Sequence, residues 1–118
     1  MEMQVLEPLG CAGMRRKMGP SLVQTIVAHI YDIPAGELSS STRGCHRVAL
    51  ARQVAMYLMN VVYGLSTNEV ADVFGRDRST VSHACHHVED LRDGAMFDRH
   101  LAQLEHLLRE AARIEAGR

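Results

Sequence analysis

Hydrophobic positions recur at intervals of three and four along most of the chain, and polar breaks cut that pattern into separate runs. From Ser21 to about Tyr31, behind Pro20, residues Leu22, Ile26, His29 and Ile30 give one broad apolar face, with Val23 and Val27 beside them. Asp32-Ile33-Pro34 interrupts it, because the residue before a proline avoids the helical region. Ala35 to Ser40 has room for one short helical turn. Ser39 to Gly44 is a polar connection, followed by a basic group of Arg43, His46 and Arg47. The longest helix is expected from about Cys45 to Val62. Val48, Ala51, Ala55, Leu58 and Val62 form one of its faces, and Ala49, Arg52, Met56 and Met59 a neighbouring one. Its length and spacing make it the central element, closed by Tyr63-Gly64. After Asp93-Gly94 a last helix is expected from about Met96 to Ile114. Its stripe runs through Phe97, Leu101, Leu104, Leu107 or Leu108, and Ala111 or Ala112.

The stretch from Ser66 to Arg92 has the sharpest local grammar. Ser66 and Glu69 form an S-x-x-E capping box, so a helix starts at Thr67, with Val70, Val73 and Phe74 as its apolar side. Gly75 stops it, since glycine takes the left-handed backbone without steric cost. Asp77 is placed to cap a second helix, with Arg78, Ser79 and Thr80 in its first turn. Val81, Ala84, Val88 and Leu91 mark the buried seam of that helix. A short helix, a glycine turn and a helix with polar residues at its tip is the layout of a DNA-reading helix-turn-helix, though an ordinary helical hairpin shares it.

Composition narrows the class. The 118 residues suffice for one domain, and a 47% hydrophobic, 4% aromatic content with seven Met and no Trp favours an all-α fold of about five to six helices. Residues 1–19 read as a flexible tail carrying Arg15, Arg16 and Lys17, residues 20–114 as the domain, and residues 115–118 as a frayed end. A net charge of −1 gives no global signal for nucleic acid, so such a reading rests on local charge. Three scattered cysteines (Cys11, Cys45, Cys85) make no disulfide framework and fit a reducing compartment. No apolar run has the length of a signal peptide or membrane span, so the expectation is a soluble, cytoplasmic protein.

Two segments, ARQVAMYL at Ala51–Leu58 and FGRDRSTVSHA at Phe74–Ala84, resemble the C-terminal DNA-binding domain of the bacterial replication initiator DnaA. The family pattern is an ARQ-A-M-L helix followed by a G-[GR]-D-H-[ST]-T-V-x-H-A turn and recognition helix. The similarity runs from about Ser21 to Leu108. It implies an all-α, Trp-repressor-like helix-turn-helix that binds a short nonamer box in double-stranded DNA. The chain departs from the pattern in several places. Arg78 stands where the family usually has His, and Leu50 where an Arg commonly serves the minor groove, with Arg47 one turn earlier. Asn60 replaces a frequent basic residue, and the turn is one glycine shorter. These changes leave the implied fold intact, but recognition of the standard box does not follow from it. No G-x-x-x-x-G-K-[ST] loop is present, so neither an ATPase module nor a bound nucleotide is expected.

The candidate DNA-binding residues follow from position and chemistry. Arg78 can pair with guanine O6 and N7 through two parallel hydrogen bonds, Ser79 can donate to base or phosphate, and Thr80 can set its methyl against thymine. His83 lies one turn further on the same side. Arg76 in the turn suits a phosphate, and Arg43, His46 and Arg47 suit phosphate or minor groove. The resemblance implies that Arg52 and Gln53 anchor the DNA backbone. His83 and His87, four apart, could share a metal, but no third ligand has helpful spacing, so no metal, cofactor or catalytic group is expected. The leading expectation is a non-enzymatic, sequence-specific DNA-binding protein acting in replication initiation or transcription. Its further partners would be the initiator or a second copy. The alternative is a protein-interaction module for the initiator or another helical partner.

Overall fold

The computed structural model describes residues 19–38 and 45–116. Among them the chain is all-helical: α1 (residues 19–30), α2 (His46–Val61), α3 (Thr67–Phe74), α4 (Arg78–Leu91) and α5 (Ala95–Ala116), with a 3-10 turn at Ala35–Glu37. Arg43 and the polar connection, the basic triplet with the rest of residues 1–18, and residues 117–118 lie outside the described residues.

Helix α2 is the element on which the others are laid. Six consecutive residues, Val54 to Met59, are all buried, as are Val48, Ala51 and Arg52. A helix covered on every side over nearly two turns belongs at the centre of a small domain. The apolar seams of the other helices close over it. Val23, Val27 and Ala28 come from α1, Val70, Ala71 and Phe74 from α3, Val81, Ala84 and Val88 from α4, and Leu101, Leu104 and Leu108 from α5. Each set repeats at the three- and four-residue spacing that puts side chains on one helix face.

Three expectations about the helices need correction. The 16 residues of α2 are not the longest run, because α5 has 22. Nothing between Gly94 and Gly117 breaks helical geometry, so α5 starts at Ala95 and carries through Glu115, which was expected to fray. The first helix begins at residue 19 rather than at Ser21. Gly19 is buried against the Tyr63 ring, and a Cβ added there would stand 2.8 Å from Tyr63 Cδ1.

The turn between α3 and α4 closes as its residues demand. Ser66 Oγ accepts from Glu69 N at 3.1 Å, and Glu69 Oε1 accepts from Ser66 N at 2.8 Å, completing the capping box. Gly75 takes φ 62°, ψ 40°. The N–H of Arg76 reaches Ala71 O at 3.0 Å and that of Gly75 reaches Asp72 O at 3.4 Å, the paired bonds of a Schellman ending. Asp77 stands at the N-cap of α4, but its side chain makes no capping bond. Its backbone carbonyl alone starts the helix, accepting from Thr80 N and Val81 N.

At the other end of α4 one guanidinium ties three helices. Arg92 Nε donates to Asp98 Oδ1 at 2.6 Å, and Nη1 donates to Glu105 Oε2 at 2.6 Å and to the Tyr57 hydroxyl at 3.0 Å. Burial works against this cation, but the hydrogen bonds from Asp98, Glu105 and Tyr57 outweigh it and raise its pKa above the ordinary value. α1 meets α5 through a second polar contact, Tyr31 Oη to His100 Nε2 at 3.1 Å, with Phe97 beside the imidazole.

Two stability predictions follow from these contacts. Arg92→Ala leaves the buried Glu105 carboxylate without its closest partner and should lower unfolding free energy by about 2–4 kcal/mol in denaturant melts. Adding Glu105→Gln should then cost much less than it does alone, because the two side chains share one interaction. A Cβ at Gly75 would meet nothing within 4 Å. Gly75→Ala should therefore cost about 1–2 kcal/mol from the left-handed backbone alone, measured in the same melts.

Candidate nucleic-acid interface

The face that unites the sequence-derived candidates lies between α2 and α4. The two helices run in opposite senses where they border it. The N-terminal turns of α2 lie beside the C-terminal half of α4, and Arg52 and Met56 lie beside the α4 tip. Two adjoining depressions follow this line. The first is bordered by Ala49, Arg52, Gln53, Met56, Arg76, Thr80, His83, Ala84 and His87. The second is bordered by His46, Arg47, Ala49, Leu50, Gln53, His87 and Leu91. They share Ala49, Gln53 and His87, so they form one groove. Its described lining holds three arginines and three histidines and no carboxylate. In a chain with a net charge of −1, that is a strong local sorting of charge.

At the α3–α4 end of the groove the tip of α4 projects. Arg78, Ser79 and Thr80 are all exposed, as is His83 one turn on. The glycine turn and the carbonyl-only start of α4 leave these side chains unspent on capping, since the Asp77 carbonyl takes that role. Thr80 and His83 border the groove, while Arg78 and Ser79 stand beyond its rim. Val81, Ala84 and Val88, on the opposite seam, are buried and hold the helix in place.

The arginines differ in how they are held. Arg52 is only 7% exposed and reaches the groove from a buried position. Its Nε donates to Leu38 O at 2.7 Å and Nη2 to Glu37 O at 3.2 Å, stitching the 3-10 turn to α2. Burial, and then the nearby Arg76 charge, hold its pKa below the ordinary value, against the opposing pull of Glu37. Arg76 Nη1 donates to Phe74 O at 2.9 Å, which braces it across the Gly75 turn. Two guanidinium groups close enough to disfavour one another make a spot whose repulsion an anion relieves. Arg47 is exposed, and its Nη2 reaches Asp32 O at 3.5 Å. Gln53 is half-buried at the junction of the two depressions.

The structure thus brings Arg47, Arg52, Gln53, Arg76, Thr80 and His83 to one groove and sets Arg78 and Ser79 at its end. It adds His87 to the DNA-contact candidates and sets His46, which the sequence grouped with Arg43 and Arg47, beside Arg47 in the same groove. The missed signal was a periodicity. Arg76, Thr80, His83 and His87 make a polar stripe at helical spacing beside the buried seam, facing His46, Ala49 and Gln53 on α2. His83 and His87 share the stripe as expected, but no group of three or more His, Cys, Asp or Glu among the described residues is placed to hold a metal. His86 turns back to Ser82 O at 3.0 Å, and Cys85 packs half-buried against the core, where burial and then Glu89 raise its thiol pKa. No helix among the described residues is long and apolar enough to cross a membrane.

Comparison with known proteins agrees with this layout. Residues 20–88 match the family described as the bacterial dnaA protein helix-turn-helix. The chain is 36% identical over 88 residues to the chromosomal replication initiator protein DnaA of Tropheryma whipplei, covering 75% of this chain and 18% of that protein. It is 41% identical over 81 residues to the protein of the same name from Dechloromonas aromatica, covering 68% of this chain and 17% of the relative. The chain therefore spans less than a fifth of the length of these curated relatives. A crystal structure described as a DNA replication initiation factor superposes with a TM-score of 0.77 at 28% identity, covering 88% of this chain and 32% of the other. With the capped α3, the left-handed Gly75 and the exposed tip of α4 already in place, the family match over residues 20–88 settles the affiliation: this chain belongs to the bacterial DnaA helix-turn-helix family.

Proposed function

We propose that the chain binds double-stranded DNA in a sequence-specific way, without enzymatic activity, and acts in the control of replication initiation or transcription. The observation that carries this reading is the carboxylate-free groove of arginines and histidines leading to an exposed α4 tip. A helix whose tip bears Arg78, Ser79 and Thr80 can enter the major groove and read base edges. The flanking groove can then take the phosphate backbone, which supplies most of the affinity and none of the sequence information. In this reading Arg78 contacts guanine, Ser79, Thr80 and His83 line the base-facing side, and Arg47, Arg52, Gln53 and Arg76 hold phosphates. Arg43, outside the described residues, joins that last group on sequence grounds alone. The names of the relatives point to origin boxes as targets, for which such a chain would compete with the full-length initiator.

A second reading rests on α5. Met96, Leu107 and Ile114 are large, apolar and exposed, and they fall on one side of that helix, away from Leu101, Leu104 and Leu108. That stripe favours a protein contact made independently of DNA.

Selection of bound duplexes from a random pool, at two salt concentrations, tests the first reading. One short motif should be enriched. Arg78→Ala should weaken binding to that motif by about 5–150-fold and relax its preference at one base pair. Arg47→Ala should weaken binding to all sequences alike and flatten the salt dependence by about one unit of slope. An unenriched pool together with an inert Arg78→Ala overturns the reading. A protein partner captured without DNA by the wild type, and not by Leu107→Asp, would favour the second reading.

A further inference from the structure

The α2–α4 groove is longer than the tip of a reading helix needs. Its second depression lies toward the far end of α4, bordered on one side by His46 and Arg47 and on the other by His87 and Leu91. His87 and Leu91 lie nine and thirteen residues beyond Arg78, so by the helical rise of 1.5 Å per residue this depression sits about 14–20 Å along α4 from the tip. That is too far for a base contact at the tip and well placed for a neighbouring stretch of backbone.

We infer that this depression, bordered by His46, Arg47 and His87, is a second phosphate seat whose charge is set by protonation of the two imidazoles, so that DNA affinity rises as pH falls. The inference deepens the DNA-binding reading and rests on it. Of the charged groups lining the depression, Arg47 alone is a permanent cation; the other two are imidazoles. His46 and His87 are both exposed, so neither is taken up by core packing. His87 also borders the first depression, which places it between Arg47 on one side and Arg52, Arg76 and His83 on the other. No carboxylate among the described lining residues stands ready to pair with it; Glu89 and Asp90, next along α4, line neither depression. A charge added here therefore has no anionic side chain in the groove to neutralise it, and a phosphate is the partner it fits.

The sign follows from linkage. A phosphate brought against an imidazole favours its protonated form, so the bound state holds the proton more tightly than the free state. The gain in affinity is therefore largest at low pH and is lost as pH rises. One titratable neighbour acts in the same direction. The Cys45 thiol, just before His46, is held below its ordinary pKa by the backbone N–H groups of Val48 and Arg47, and it gains negative charge as pH rises. A Cys45→Ser variant separates that contribution.

The test is a duplex-binding titration of the full chain from pH 5.5 to 8 at constant ionic strength, on a defined duplex of random sequence and on the selected motif. The wild type and Cys45→Ser should both gain about tenfold or more in affinity between pH 7.5 and 5.5, the expectation for at least one proton taken up per duplex bound. The double variant His46→Gln/His87→Gln should lose most of that gain. His46→Lys/His87→Lys should bind tightly at pH 8 and hardly respond to pH. Arg78→Ala should weaken binding to the motif at every pH without flattening the curve. If the Gln double variant parallels the wild type across the range, the seat is overturned while DNA binding stands. If Cys45→Ser alone removes the gain, the imidazoles are not the switch. If the wild type retains no duplex at any pH, the DNA-binding reading falls and takes the seat with it.

Discussion

The structure depends on the burial of α2 from nearly every side. A helix in that position cannot shift without disturbing the seams of α1, α3, α4 and α5 together, because each lays its apolar row into the same core. The α2–α4 groove inherits this rigidity. Its floor is backbone and small side chains of two helices clamped by the core, with Ala49 on one side and Ala84 on the other. Its arginines are placed by that packing together with the backbone carbonyls to which Arg47, Arg52 and Arg76 donate. A surface placed in this way can meet an anionic ligand without first paying to become ordered.

Around that fixed pair, two polar devices set directions. The Gly75 turn orients α4 relative to α3, and the Schellman bonds close the end of α3 so that the chain leaves at one angle. The Arg92 guanidinium then fixes where α4 ends and α5 begins, reaching Asp98, Glu105 and Tyr57 from a single side chain. The recognition candidates lie between these two fixed points. Arg52 adds a third attachment, holding the 3-10 turn against α2 through the carbonyls of Leu38 and Glu37. It secures the scaffold at the same time as it lends charge to the groove.

How much of this was legible in the sequence depended on the range of the interaction. The capping box at Ser66 and Glu69 and the left-handed Gly75 were readable because each is settled within a few residues. The seams of α3 and α4 were readable because helical spacing decides them, although Val73 and Leu91 came out half-buried at the edges. The Asp77 cap failed because a residue type that favours a cap does not compel one, and the backbone carbonyl served instead. The burial of Arg52 was not legible because its carbonyl partners lie 14 and 15 residues away across a connection. The Arg92 junction joins residues as much as 35 apart, and Tyr31 meets His100 across 69, and neither leaves a trace in local pattern. His87 was left out of the contact set because its meaning comes from which helix lies opposite.

The sorting of charge in the groove has a consequence for how the molecule would approach a polyanion. The chain carries thirteen Lys and Arg against fourteen Asp and Glu, yet the described lining of the groove holds only basic groups. The rest of its surface must then be acidic on balance, which makes the protein a dipole with little net pull. A duplex at a distance attracts it weakly, but close by it exerts a torque that turns the groove inward and pushes the acidic side away. On the proposed DNA binding, wrong-way collisions would be shed before contact, so orientation would precede any hydrogen bond to a base.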